Sequence, residues 1–307
     1  MKCRICDSPD LIPTINLGIQ PWGNNFLTKD QIGKEQSYPL EVEFCEKCTC
    51  SQLNFTVPKE IMFSDHTYLS GMTSTLDSHF KELARKVNKS FFSEIKTPSI
   101  LDIGSNDGTQ LKHYHDLGYE ILGVESSKNI ANIANNNGIK TECAFFNESL
   151  AKSLNKKFNL INASGIFFHL EELHSVTKGV KNALDQNGVF VVQFIYLKKM
   201  IENFAFDQIY HEHLLYYNLR SLNFLLNIHD LEIFDSEELP IHGGSAIAYI
   251  CHKGTREKTV RFNEMLMEEE RKNMHCVETY INYSEELKKI KDKNINFLQK
   301  CKDNNKT

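Results

Sequence analysis

The segment 206–217 concentrates side chains that can move protons. Its 12 residues include two histidines, two acids and three tyrosines. A histidine titrates near neutral pH and can act as a general base, a carboxylate can orient it, and a tyrosine can donate to a developing oxyanion. The residues alone leave two alternatives open, a second metal site through His211 and His213 or a polar loop with satisfied hydrogen bonds. We interpret the segment as a candidate catalytic centre, with His169, just after a predicted strand, as a candidate partner.

A glycine-rich turn at 101–109 has the features of a cofactor loop, the alternative being an ordinary strand-to-helix turn. Glycines let the backbone pass close to a ligand, and the following helix offers unbonded N–H groups. The G-x-G-x-x-G spacing of dinucleotide enzymes is absent, whereas Asp102 and Asp107 suit a cationic ligand with an amino-acid tail. Glu125 ends the next predicted strand, where it can accept hydrogen bonds from two ribose hydroxyls. The pattern predicts S-adenosylmethionine (SAM), bound by Asp102, Gly104, Ser105, Asn106, Asp107, Gly108, Glu125 and Ser126.

Two Cys-x-x-Cys pairs near the N-terminus predict a metal site. They are separated by 38 residues, and together they can supply four thiolates in a closed tetrahedron, which is typical of structural zinc. Unpaired buried thiols are the alternative. We therefore expect a zinc ion that stabilises the fold without taking part in chemistry, with Cys50 as a nearby spectator. The predicted ligands are Cys3, Cys6, Cys45 and Cys48.

The elements that must position these residues alternate along the middle of the chain. Apolar runs at 99–103, 120–125, 158–163 and 189–194 predict strands, and the stretches between them predict helices. This alternation predicts an α/β fold, with a Rossmann-like parallel sheet whose loops carry the candidate site at the carboxyl ends of the strands.

Three domains are expected. They are a zinc-binding N-terminal domain at 1–70, a SAM-dependent methyltransferase domain at 71–238, and a short C-terminal segment at 239–307. The first shows only short candidate strands, such as 40–44, because it is dense in cysteine, proline and turn residues. The last holds an apolar stretch at 246–251, followed by one or two amphipathic helices.

Composition excludes several classes of protein. The chain has 307 residues, 41% of them hydrophobic, which is typical of a globular protein and not of a disordered one. A net charge of −5 does not fit a protein that coats nucleic acid. The sequence shows neither a signal peptide nor an apolar run long enough to span a bilayer, so we expect a cytoplasmic protein with no membrane partner.

Taken together, the motifs resemble one family, the zinc-containing, SAM-dependent C-methyltransferases of deoxysugar biosynthesis, which act on nucleotide-linked keto sugars. The resemblance extends from Cys3 to about Tyr249. Besides the cysteine pairs and the SAM loop, it includes segments 17–21, 38–40, 68–71, 209–213 and 240–245.

The resemblance implies a mechanism and roles for individual residues. In that family a base removes a proton from a carbon beside a ketone, and the resulting enolate attacks the SAM methyl group. By motif, His213 is the implied base, with Tyr210 and Glu212 as its close partners. His169 and Tyr68 are implied to line the acceptor pocket near the enolate oxygen.

The chain also departs from the family pattern. Ala246 and Ile247 stand where Leu-Arg is usual, and a second Rossmann-like domain of about one hundred further residues is expected to be missing. That domain helps to hold the nucleotide, so a separate chain is expected to supply it, or the acceptor to be smaller. Two other functions stay open, an O- or N-methyltransferase and a non-catalytic SAM-binding subunit that needs a partner.

Overall fold

The computed structural model describes residues 1–24, 26–63 and 68–306, apart from the side chain of His242. The strands are β1 (Leu11–Pro21), β2 (Ser37–Cys45), β3 (Ser51–Leu53), β4 (Ser99–Ile103), β5 (Glu120–Glu125), β6 (Thr141–Cys143), β7 (Phe158–Ser164), β8 (Leu184–Ile195), β9 (Leu215–Tyr216), β10 (Leu231–Leu239) and β11 (Ser245–His252). The α-helices are α1 (Lys59–Phe63), α2 (Ser74–Val87), α3 (Thr109–Asp116), α4 (Lys128–Asn136), α5 (Glu148–Leu154), α6 (Leu173–Ala183), α7 (Leu197–Glu202), α8 (Leu219–Ile228), α9 (Val260–Arg271) and α10 (Val277–Asp303).

A seven-stranded sheet forms the centre of the molecule, in the order β10-β11-β8-β7-β4-β5-β6. The strands from β8 to β6 pair in parallel, and all five residues of β4 are buried, as expected for a strand covered on both faces. β5 and β6 lie on one side of β4, and β7, which comes after them in the chain, lies on its other side. The strand order therefore reverses at β4. Ligands bind at such a reversal, outside the carboxyl ends of the strands. The α/β prediction is confirmed.

A smaller antiparallel sheet in the N-terminal region has the order β1-β2-β3-β9. Its last strand comes from Leu215–Tyr216, directly after the predicted catalytic segment, and pairs with β3. This pairing joins the N-terminal region to the loop that carries the candidate site. The prediction of only short strands in this region is wrong for β1, which has 11 residues and two irregularities in its pairing with β2.

Two antiparallel strands complete one edge of the central sheet. β11 follows β10 in the chain but inserts between β10 and β8. The prediction of one or two helices after it is confirmed, since α9 and α10 follow β11. The domain limits stay a prediction, and β11 lies in the central sheet although it falls in the predicted C-terminal segment.

Ion pairs of one buried lysine fix the helix that leads from β8 to the catalytic segment. The side chain of Lys198 in α7 is 2% exposed and lies 2.6 Å from Glu238 at the end of β10 and 2.9 Å from Glu268 in α9. Paired charges can be buried where a lone charge would not be tolerated. Among the residues that the structure describes, no helix is long and apolar enough to cross a membrane.

Candidate active site

A cavity of about 960 Å³ opens at the carboxyl ends of β4, β5, β7 and β8. Its wall combines the loops after these strands with the segment around Trp22 and with α1, so the N-terminal region closes one side. All five predicted catalytic residues line it, and so do four of the eight predicted cofactor residues. The cofactor residues on the wall are Gly104, Asn106, Glu125 and Ser126.

The cavity wall at the ends of β4 and β5 contains a tightly packed glycine, Gly104, and a fixed carboxylate, Glu125. Gly104 has φ +70°, and a Cβ there would lie 2.7 Å from Ile166, so a side chain is excluded on both counts. The carboxylate of Glu125 accepts hydrogen bonds from the backbone N–H groups of Asn106 at 3.0 Å and Ser127 at 2.8 Å. These bonds hold the acid at the cavity wall, where it can receive ribose hydroxyls.

The other four predicted cofactor residues do not line the cavity, and their contacts support the loop. Ser105 is buried behind the cavity wall. Asp107 accepts from the backbone N–H of Gly71 at 2.9 Å, and Gly108, at φ +82°, begins α3 with Ile139 packed where a Cβ would be. Asp102 is 2% exposed and accepts from the side-chain amide of Asn162 at 2.6 Å.

Burial raises the pKa of Asp102 from 3.8 to about 7, with a smaller contribution from the charge of Glu125. Because the folded-state pKa lies above the ordinary value, the protonated Asp102 makes its full contribution to the free energy of unfolding below about pH 3.8. This contribution is lost as the pH rises through about 7. We expect Asp102→Asn to abolish this decrease in the free energy of unfolding, which amounts to at most about 1.4 kcal/mol per pH unit. Urea unfolding of both proteins at acidic and mildly alkaline pH measures it, with the exposed Asp116→Asn as control. Parallel pH dependences of the native protein and Asp102→Asn would contradict the assignment.

Two histidines lie side by side on the cavity wall. Nδ1 of His213 lies 2.7 Å from the carbonyl oxygen of Gln208, and Nδ1 of His169 lies 2.6 Å from that of Glu212. A carbonyl can only accept, so each Nδ1 carries a hydrogen, and in each neutral ring Nε2 holds the lone pair. The ring centroids lie 5.0 Å apart. The chain therefore presents a base-competent imidazole in the cavity, beside a second one.

Two tyrosines also line the cavity. The Tyr210 ring lies 3.9 Å from the His213 ring, and burial, followed by the charge of Glu212, raises the Tyr210 pKa above its usual range. Tyr68, which is 49% exposed, has a pKa raised by burial and then by Asp107. Both hydroxyls therefore stay protonated at neutral pH and can donate hydrogen bonds.

Glu212 is held by the N-terminal region, a contact that sequence reasoning did not identify. It is 3% exposed, and its Oε1 accepts from Nε1 of Trp22 at 2.8 Å and from Nδ2 of Asn24 at 2.7 Å. The backbone oxygen of Glu212 accepts a hydrogen bond from Nδ1 of His169, and the role predicted for its carboxylate stays a prediction. No local signal in the sequence links Asn24 to a partner 188 residues away.

His211 points away from the cavity. It is 1% exposed, its Nε2 lies 3.4 Å from the carbonyl oxygen of Tyr38, and burial lowers its pKa. Within the described ranges, the group of side chains arranged to hold a metal is the cysteine cluster and does not include the two histidines. The alternative of a second metal site at His211 and His213 is therefore not supported.

The four predicted metal ligands come together. Their Sγ atoms all lie within 4.8 Å of one another, with the Cys3–Cys48 pair at 3.4 Å and the Cys6–Cys45 pair at 3.5 Å. Zn–S bonds of about 2.3 Å in a tetrahedron separate sulfurs by about 3.8 Å, so the donor set fits zinc. Cys50 is buried, and its thiol donates to the backbone oxygen of Ser51.

Both turns of the cluster have the same backbone form. The residue after each second cysteine, Asp7 or Thr49, has a positive φ, 56° and 60° respectively. Its N–H donates to the carbonyl oxygen of the first cysteine, at 3.0 Å from Asp7 and 2.7 Å from Thr49. Such tight turns bring both thiols of a pair to one side, as a shared ion requires.

Comparisons with family models divide the chain into three matched parts. A model described as a methyltransferase domain matches residues 76–235, more than half of the chain, and one described as a putative zinc binding domain matches residues 3–63. A third, described as a C-methyltransferase C-terminal domain, matches residues 240–307. The expectation that the C-terminal domain of the family is missing is therefore wrong.

Similar proteins include a characterised relative and solved structures. C-methyltransferase NovU of Streptomyces niveus is 26% identical over 296 residues, covering 94% of this chain and 70% of NovU. The PH0226 protein of Pyrococcus horikoshii OT3 is 16% identical with a TM-score of 0.47, covering 61% of this chain and 95% of that one. The CcbJ methyltransferase of Streptomyces caelestis is 13% identical with a TM-score of 0.45, covering 58% of this chain and 92% of its own.

Proposed function

The chain is a SAM-dependent enzyme of the methyltransferase domain family with a four-cysteine zinc-binding domain, and from this premise we propose that it methylates a carbon atom of a keto-deoxysugar. The observation that carries the proposal is the position of His213. Its imidazole lines the same cavity as the predicted cofactor residues Gly104 and Glu125, with the rings of His169 and Tyr210 next to it. The C-methyltransferase model at 240–307 and the similarity to NovU favour carbon as the methylated atom.

Different residues of the cavity wall have different roles in the proposed reaction. Nε2 of His213 accepts the proton from the carbon beside the ketone, and the electron pair of that C–H bond moves onto the carbonyl oxygen. The protonated hydroxyls of Tyr68 and Tyr210 donate to the resulting enolate oxygen, since a hydrogen bond to it strengthens as negative charge develops. When bound, SAM supplies an electrophilic methyl group, which the enolate carbon takes up while the carbon–sulfur electron pair stays on sulfur.

The charges on the cavity wall indicate which part of a nucleotide-linked acceptor enters. Among the described residues of the wall, the glutamates outnumber the lysines, and Lys59 already pairs with Glu172. An acidic wall suits a cationic cofactor and an uncharged sugar and disfavours phosphate groups. We therefore place the keto-sugar ring inside the cavity and the phosphates of a nucleotide-linked acceptor outside its mouth.

Isotope exchange tests the proposal directly. We expect the enzyme, given SAM and a dTDP-linked keto-deoxyglucose in D₂O, to yield a product with a new carbon–carbon bond by NMR. We also expect deuterium to enter the acceptor carbon when SAM is replaced by S-adenosylhomocysteine, because deprotonation does not require the methyl group. A methyl group found on oxygen or nitrogen would rule out the proposed chemistry.

The contact between Trp22 and Glu212 yields a second test. We expect Trp22→Phe to lower kcat by about tenfold with little change in the KM for SAM, because a buried carboxylate next to the base loses one of its donors. Steady-state kinetics measures this, with Tyr38→Phe as the control in the same region, since among the described residues the Tyr38 hydroxyl donates to Gln36, away from Glu212. Equal activities of the two variants would show that the Trp22 bond does not position the site.

A further inference from the structure

Gln193 is a buried polar residue on the cavity wall to which nothing above assigns a role. It lies near the end of β8, opposite Ser164 of β7 in the sheet register, and its backbone oxygen accepts from the N–H of Gly165 at 2.9 Å. The residue is 2% exposed and lines the cavity. Its backbone is therefore fixed by the sheet at the point where the strand order reverses.

Only one end of the Gln193 side-chain amide is bonded within the part of the protein that the structure describes. Oε1 lies 2.7 Å from Nε2 of His79 in α2, so the ring donates to it and fixes the plane of the amide. The amide nitrogen is bonded to none of the described residues, and it is not one of their fully enclosed atoms without a partner, so it is accessible from the cavity. A donor whose direction is fixed at the wall of a cavity is suited to a ligand that accepts a hydrogen bond.

The position of Gln193 in the sheet indicates which ligand it meets. The predicted cofactor residues follow β4 and β5, whereas His169 follows β7 and the segment 206–213 follows β8. Gln193 belongs to the second group, on the side of the reversal that carries the proton-transfer residues. Its amide thus faces the acceptor half of the cavity.

We propose that the side-chain amide of Gln193 donates a hydrogen bond to an oxygen of the sugar ring or its substituents, and that it selects acceptors carrying a hydroxyl or carbonyl at that place. This inference rests on the proposed function and names a specificity-determining residue for it. His79 is a positioning residue, since it acts by holding the amide. A cavity that presents a fixed donor rejects analogues that lack the matching acceptor, because the donor is then left unpaired.

Gln193→Glu tests the inference with little disturbance of the fold. Glutamate has the same shape and can still accept from His79, but it replaces the amide donor with a charged acceptor. Calorimetry in the presence of S-adenosylhomocysteine measures binding of a dTDP-linked keto-deoxyglucose without turnover. We expect at least about tenfold weaker binding of this probe and unchanged affinity for S-adenosylhomocysteine. The matched control is Gln186→Glu, an exposed position on the same strand.

The outcomes separate this inference from the proposed function. If Gln193→Glu is unstable, Gln193→Met removes the donor at similar length and is expected to weaken probe binding likewise. Undiminished probe binding by the variants, loss of S-adenosylhomocysteine affinity instead, or no probe binding by the native enzyme would each overturn the role of Gln193. Probe binding without methyl transfer would count against the proposed function alone, since the role of Gln193 is assessed from binding.

Discussion

Replacing His213 by alanine is expected to lower methyl transfer by about 10²- to 10⁴-fold while leaving SAM affinity unchanged. In the proposed reaction the imidazole is the group that takes the carbon-bound proton, and alanine has no atom that can do so. Nδ1 of His213 is anchored to Gln208, so the native ring keeps its lone pair on Nε2. Single-turnover methyl transfer and calorimetric SAM binding measure the two effects separately.

Two comparisons distinguish lost chemistry from lost packing at this position. His115→Ala removes an exposed histidine at the end of α3 and should leave the rate unchanged. Imidazole added to the medium should partly restore His213→Ala, because the substitution leaves a space beside the ring of Tyr210. Near-native turnover by His213→Ala without imidazole would show that another group is the base.

Cys45→Ser is expected to release zinc and to unfold the small N-terminal sheet. The ion is shared by two turns 38 residues apart in sequence, so losing one thiolate opens the tetrahedron, and metal binding energy in such sites is folding energy. Activity should fall as well, because Trp22 and Asn24 would no longer hold Glu212. Metal analysis, limited proteolysis and thermal unfolding report on zinc content and folding, and a methyl-transfer assay reports on activity.

The control for this substitution is Cys143→Ser, an exposed cysteine outside the cluster. It should keep about one zinc per chain and native protease resistance. Cys50→Ala should also keep the metal, as expected of a spectator. Retention of zinc and full activity by Cys45→Ser would contradict both the ligand assignment and the mechanical link to Glu212.

The sequence predicts the central elements well because their signals are local. β4 and β5 have the bounds expected from their apolar runs, since a strand buried on both faces needs a continuous apolar sequence. β1 was missed because Pro13 and Gly18 interrupt its alternation and much of it is exposed. α8 and β10 were missed although α8 has the periodicity of an amphipathic helix.

In the candidate site, too, local motifs can be predicted from the sequence, whereas contacts between residues distant in sequence cannot. The glycine turn and the acid of β5 mark a cofactor loop, but no sequence pattern says which atoms face the cavity. Asp102 is bonded to Asn162 and does not line the cavity, whereas Gly104 does. The partners of Glu212 and Gln193 lie 190 and 114 residues away, so only the assembled fold reveals them. The assigned catalytic and cofactor roles stay predictions.

The insertion of β11 between β10 and β8 has a consequence for synthesis of the protein. A nascent chain that has not yet delivered Ser245–His252 outside the ribosome leaves β8 with a bare edge, open to pairing with another polypeptide. β10 cannot take that place, since its partner in the sheet is β11 itself. Stalled or prematurely terminated products should therefore aggregate or recruit chaperones, and the sheet should become protease-resistant only after this last strand has entered it.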